Sequence, residues 1–226
     1  MNKFRSLIVV GLLCCCTIIA SANTIITDPG PGGTNLPNSP NTLGYDFTVG
    51  SSAIELTALG MWDQNQDGFT NPHSIGLWDT SGTLIAKAFL VPSTVDPLDG
   101  QFRYAPIIPI GSGPVILSAG TTYVLGASYI ALDADLFIIN TGGNQATFDP
   151  AVSPGNARFT SSPIGFAFPD VHNTAGSVVG PNAQFTLVSN GVPESGATVL
   201  LLGLTVVCLG CARSRSKASH NGAGLR

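Results

Sequence analysis

Cysteine is missing from the whole stretch between Asn23 and Gly191: all five (Cys14, Cys15, Cys16, Cys208 and Cys211) fall in the apolar segments near the two ends. No disulfide can staple the intervening body. A stretch of roughly 150 residues is one domain's worth and can be stabilised by a hydrophobic core alone. Basic side chains are scarce too. Eleven Asp and one Glu between Asn23 and Gly191 face only Lys87, Arg103 and Arg158, a balance of −9 inside a chain whose formal charge is −4. Binding to a phosphate backbone needs clustered Lys and Arg, so no nucleic-acid partner is expected; neutral glycans and divalent cations remain compatible with the charge. Helix signals are also absent from the body.

What is present reads as strands. Runs enriched in β-branched and aromatic residues alternate with Gly, Pro, Asn and Asp clusters, and 27 Gly and 16 Pro supply many turns. The expected strands are Gly44 to Val49, Ala53 to Trp62, His73 to Trp78, Thr83 to Val91, Gln101 to Ile107, Val115 to Leu117, Thr121 to Ile130, Asp135 to Asn140, Ala157 to Phe159 and Ala183 to Val188. Within the second, Ile54, Leu56, Ala58 and Gly60 alternate with Glu55, Thr57 and Leu59, as in a strand with one packed face. The expected fold class is all-β, an antiparallel β-sandwich of jelly-roll type over residues 42–191. Residues 23–41 carry Asp28-Pro29-Gly30-Pro31-Gly32-Gly33 and read as a flexible lead, because such punctuation breaks helix and strand alike.

The two ends read as addresses. Lys3 and Arg5, an apolar stretch from Leu7 to Ile19 and Ala20-Ser21-Ala22 have the layout of a secretory signal over residues 1–22, with cleavage between Ala22 and Asn23. Leu13 stands before Cys14 where a lipoprotein signal has a small residue. At the other end come Val192-Pro193-Glu194-Ser195-Gly196, the apolar run Ala197 to Ala212, and the basic cluster Arg213, Arg215 and Lys217, with a polar tail over 218–226. Sixteen residues of helix span about 24 Å against a hydrocarbon core of about 30 Å, and snorkelling arginines make up part of the difference. A single hydrophobic helix in the membrane, its basic end cytoplasmic, is expected. Motif, apolar segment and basic stop over residues 192–217 resemble the PEP-CTERM class of bacterial sorting tails, and the motif looks closest to its VPDSG form. That resemblance implies an exosortase-type processing enzyme as partner and transient residence in the inner membrane. It further implies delivery to the cell surface or extracellular matrix of a Gram-negative-type bacterium.

A second resemblance rests on Leu59-Gly60-Met61-Trp62-Asp63, Asp67-Gly68, His73-Ser74-Ile75-Gly76-Leu77-Trp78-Asp79 and Gly82-Thr83-Leu84-Ile85-Ala86. Phe102-Arg103-Tyr104 and Leu117-Ser118-Ala119-Gly120-Thr121-Thr122-Tyr123 continue it. This segment is similar to a bacterial extracellular domain of unknown function, which implies a β-sandwich and no assigned chemistry.

Three site hypotheses follow from the body. Asp63-Gln64-Asn65-Gln66-Asp67-Gly68 matches the first half of a calcium loop, with oxygen side chains at positions one, three and five and Gly at six. Position twelve is Ser74, so a weak calcium site would draw on Asp63, Asn65, Asp67, the Phe69 carbonyl and Asn71; the alternative is a solvated Asx-rich turn. Trp62, Trp78, Tyr104, Tyr123 and Tyr129 would stack sugar rings if they faced outward, though inward packing is the commoner fate of such side chains in strands. His73 and His172 are the body's histidines; with no nucleophile elbow, zinc motif or cysteine beside them they read as polar loop residues, and no enzyme is expected. The function expected is that of a noncatalytic surface or matrix protein, structural or adhesive, with exopolysaccharide as a further partner. A carbohydrate-binding module is the alternative, and a hydrolase with carboxylates converging in a cleft a more distant one.

Overall fold

The computed structural model describes residues 22–31, 33–35, 40–140, 146–161, 165–174 and 177–188. By its internal contacts the chain divides into residues 1–188 and 189–226. The second unit, with Val192–Gly196, the apolar run and the basic cluster, lies outside the described residues, as does the leader before Ala22. Among the described residues there is no helix long and apolar enough to cross a membrane.

The described body is all-β, and every strand pairing is antiparallel. One large sheet runs, edge to edge, through β1 (Asn23–Thr24), β18 (Pro181–Leu187), β5 (Ile54–Trp62), β9 (Phe102–Pro106) and β8 (Leu98–Asp99), with β11 (Val115–Leu117) also on β5. The other runs through β10 (Ile108–Pro109), β7 (Leu84–Leu90), β6 (His73–Asp79), β12 (Thr122–Tyr129), β4 (Asn41–Val49), β15 (Val152–Phe159) and β16 (Val171–Asn173). Two small sheets complete it: β17 (Ser177–Val179), β13 (Phe137–Asn140) and β3 (Gly33–Asn35), and β14 (Thr147–Phe148) with β2 (Ile26–Asp28).

Both large sheets feed one core. Leu56, Leu59, Met61 and Phe185 enter it from the first, and Phe47, Ile75, Leu77, Ala88 and Leu125 from the second. The ten strands expected from composition all appear, with ends shifted by a few residues and β15 starting at Val152 instead of Ala157. β7 shows why: Ala86, Ala88 and Leu90 are buried while Lys87 and Phe89 are exposed, the two-residue period of a half-covered strand.

Two expectations need correction. The alternation along β5 breaks at Thr57, because Leu56 opposes Phe185 while Ala58 opposes Gln184, which leaves Thr57 as an extra residue in a bulge. The bulge moves the core-facing set from Ile54 and Leu56 to Leu59 and Met61, so Leu59 points in where simple alternation put it out. The N-terminal lead is not without structure either. Asn182 in β18 is fully buried, accepts from Ile26 N through Oδ1 (2.9 Å) and donates from Nδ2 to Ile26 O (2.9 Å) and the Tyr104 hydroxyl (2.8 Å). This side-chain amide adds to the strand pairings of β1 with β18 and β2 with β14, and Ile25 and Ile26 are buried there.

Candidate functional site

The polar chemistry of the body gathers where the loops 63–71, 91–98 and 130–136 meet. Asp63 directly follows β5 and is almost wholly buried; its Oδ2 receives Arg103 Nε at 2.6 Å and the amide of Gly68 at 3.0 Å. Gly68 takes φ 94°, a left-handed turn that folds the loop back on Asp63. The Arg103 guanidinium, projecting from β9, continues outward: Nη1 donates to Thr94 O (3.1 Å) and Asp96 O (3.0 Å), and Nη2 to Gln66 O (2.9 Å). One carboxylate and three carbonyls thus surround a fixed cation. Of the oxygens expected to hold calcium only that of Asp63 takes part, and the charge it meets is a guanidinium from another strand.

The remaining calcium candidates disperse. Asn65 and Asp67 are exposed on the rim of a cleft of about 210 Å³ that is also lined by Asp63 and Asp135. Phe69 is buried against the His73 ring, and its amide donates to Ser93 O. Asn71 Nδ2 turns away to Asp133 Oδ1 at 2.8 Å. Asp79 caps its own turn, accepting from Ser81 and Thr83, and these bonds hold its carboxyl below the usual range.

A second cluster lies beside the first. His73 opens β6 and is fully buried, which corrects its reading as a polar loop residue. Its Nδ1 sits 2.8 Å from Ser128 O and its Nε2 2.9 Å from Asp135 Oδ2. Both partners are acceptors, so each ring nitrogen faces an oxygen to which it can donate. Burial alone would raise the Asp135 carboxyl; the His73 bond, the amides of Thr70 and Asn71 and the His73 charge outweigh it, and the net direction is downward. Asp133 Oδ1 also accepts from Asp135 N, and Oδ2 accepts from Ile130 N. Among the described residues, His73, Asp133 and Asp135 are the one group of three His, Cys, Asp or Glu close enough together to share an ion. Each already has internal partners, so the group ties the 63–71 and 130–136 loops to β6 as it stands. The Tyr129 ring packs on His73, and burial, then Asp133 and Asp135, push its hydroxyl well above the usual tyrosine value.

At the other end of the seven-stranded sheet, Arg158 Nε pairs with buried Asp46 Oδ2 at 2.8 Å, and half-exposed His172 approaches the same oxygen at 3.7 Å. Asp170, two residues before His172, bonds Ser161 instead.

All five candidate stacking aromatics are buried. Trp62, Tyr104, Tyr123 and Tyr129 belong to the common core; Trp78 does not. It lies on the outer face of β6, where a Cβ on Gly76 would collide with its ring, and Phe166 (centroids 5.3 Å) and Phe168 (6.2 Å) cover it. Ala22 and Asn23 lie beside the β8–β9 turn in a second cleft that also takes in Asp28, Asp99 and Asp149. The residues that sequence reasoning missed are Arg103, Arg158, Asp46, Asp133 and Asp135. A signal existed for two: Arg103 and Arg158 sit inside expected strands, where a buried arginine requires a carboxylate. The identity of that carboxylate, dozens of residues away, carried none.

No protein-family model matches the chain, and no curated protein matches it in sequence.

Proposed function

We propose that this chain is a noncatalytic surface or extracellular-matrix protein with a structural or adhesive role. Its body is a β-sandwich of jelly-roll type, exported by the leader and sorted through the Val192–Gly196 motif by an exosortase-type enzyme. The observation that carries the structural role is the fate of the body's few cations. Apart from exposed Lys87, they are buried and bonded to oxygens of other segments: Arg103 ties loops to β9, and Arg158 ties β15 to β4; buried His73 ties the 130–136 loop to β6 in the same way. The His73–Asp135 pair has its ring nitrogens engaged and no exposed surface on the ring, an arrangement suited to holding loops and ill suited to proton transfer with a bound substrate. The buried aromatics favour this reading over a carbohydrate-binding module built on a flat aromatic platform.

The sorting half of the proposal is tested in the native host by intact mass and membrane fractionation, beside a variant with residues 192–196 scrambled. Wild-type protein shortened near Gly196 and outside the inner membrane, with the scrambled form uncut within it, is the expected result. Full-length protein in the inner membrane in both cases would overturn it.

A further inference from the structure

We propose that the outer face of β7 and β10 is a contact surface for a second copy of this chain, joined head to tail with Lys87 at its centre. Antiparallel register places Ile108 opposite Lys87, and the Ile110 amide donates to Ile85 O. Residues directly opposite share a face, so Lys87, Phe89, Ile108 and Ile110 line one surface, turned away from the core that Ala86, Ala88 and Leu90 enter; Ile85, the extra residue where the β6–β7 register shifts, packs against that core instead. Phe89, Ile108 and Ile110 are each 52–53% exposed. Three large apolar side chains on one sheet edge form the kind of patch that marks a protein contact.

The partner follows from charge. Lys87 makes no ion pair with the described residues, and the described body's other Lys or Arg side chains, Arg103 and Arg158, are buried. The rest of its surface presents carboxylates, including Asp28, Asp67, Asp99 and Asp170. Two copies meeting through the same face would set lysine against lysine. A copy docking another part of its surface brings carboxylate to lysine, so complementarity selects a heterologous contact, which builds a ring or an open chain according to the rotation between copies. The backbone edge itself is closed to strand addition: Ile110 N points at β7, so the neighbouring Pro109 nitrogen faces outward, and it has no hydrogen to give. The side-chain face is therefore the contact.

The proposal names the partner within the structural role above, yet it fails separately, since tail processing and self-association are independent readouts. A photoreactive residue is placed at position 108 or 89 of the full chain in its host, and cross-linked products are identified by mass. A covalent dimer is expected in which the second copy is joined through an Asp-bearing segment outside residues 84–110. Lys87→Glu should lower its yield roughly tenfold, Lys87→Arg should retain it, and both variants should melt as wild type does. A dimer joined 84–110 to 84–110, products containing only other molecules, no product at all, or unchanged yield in Lys87→Glu would overturn the proposal.

Discussion

The two large sheets are joined to each other, and the loops to the sheets, by opposite means. Between the sheets the body relies on apolar side chains such as Phe47, Leu59, Ile75 and Phe185, all with no measurable exposure. At the loop end it relies on Arg103 and His73, each bonded to oxygens contributed by separate segments. Apolar burial is indifferent to pH and little affected by salt; a buried ion pair is held by geometry, and losing one partner leaves a desolvated charge behind. In a body without cysteine, loops of this length have few other ways to be fixed.

The largest expected effect is in the core. Phe47→Ala or Phe185→Ala should cost about 3–5 kcal/mol in denaturant unfolding, equally at low and high salt. Arg103→Leu should cost about 3 kcal/mol, because Asp63 stays buried without its partner; a cost no greater than that of an exposed substitution would erase the contrast between the two regions. Asn182→Ala should cost about 1–3 kcal/mol and act locally. Hydrogen exchange should then speed up at residues 23–28 while β5 and β12 stay protected.

Acid separates the regions further. Asp135 is held below its ordinary value of 3.8, so the stability it contributes is present above that pH and is lost as pH falls through the lowered value. In His73→Phe the bond that lowers it is gone, and the acid loss should begin at higher pH than in wild type. The smallest effect is expected at the exposed rim: Asn65→Ala and Asp67→Asn should stay within about 0.5 kcal/mol of wild type, and millimolar calcium should leave the melting temperature unchanged.

The strands were readable because their signal is local. β-branched and aromatic runs between Gly, Pro and Asn clusters marked all ten expected strands, including β6, β7 and β12 at the centre of the larger sheet. The lead was misread because its order comes from partners far along the chain, β18, β14, β13 and the Asn182 amide, and no local pattern announces those pairings. The bulge at Thr57 is likewise a property of the pairing with β18, invisible in β5 alone. At the loop end, the Asp63–Gly68 stretch was read as a calcium half-loop or an Asx-rich turn; of the ligands named for it only Asp63 touches the buried cation, and the other oxygens are the Gln66, Thr94 and Asp96 carbonyls. That the cation is Arg103 depends on β9 lying beside β5, a matter of topology. Trp78 shows the same limit: its burial was foreseeable, but its place outside the common core, over Gly76 and beneath Phe166, follows from how the chain returns across the sheet.

The most direct test of the internal-cation account is a double-mutant cycle on Asp63→Asn and Arg103→Leu, read by denaturant unfolding and repeated with added calcium and with a chelator. Coupling above about 1 kcal/mol, unchanged by either addition, is the expected result. Additive costs, or a wild-type protein that loses stability in chelator, would show that the turn takes its cation from solution and would contradict the account.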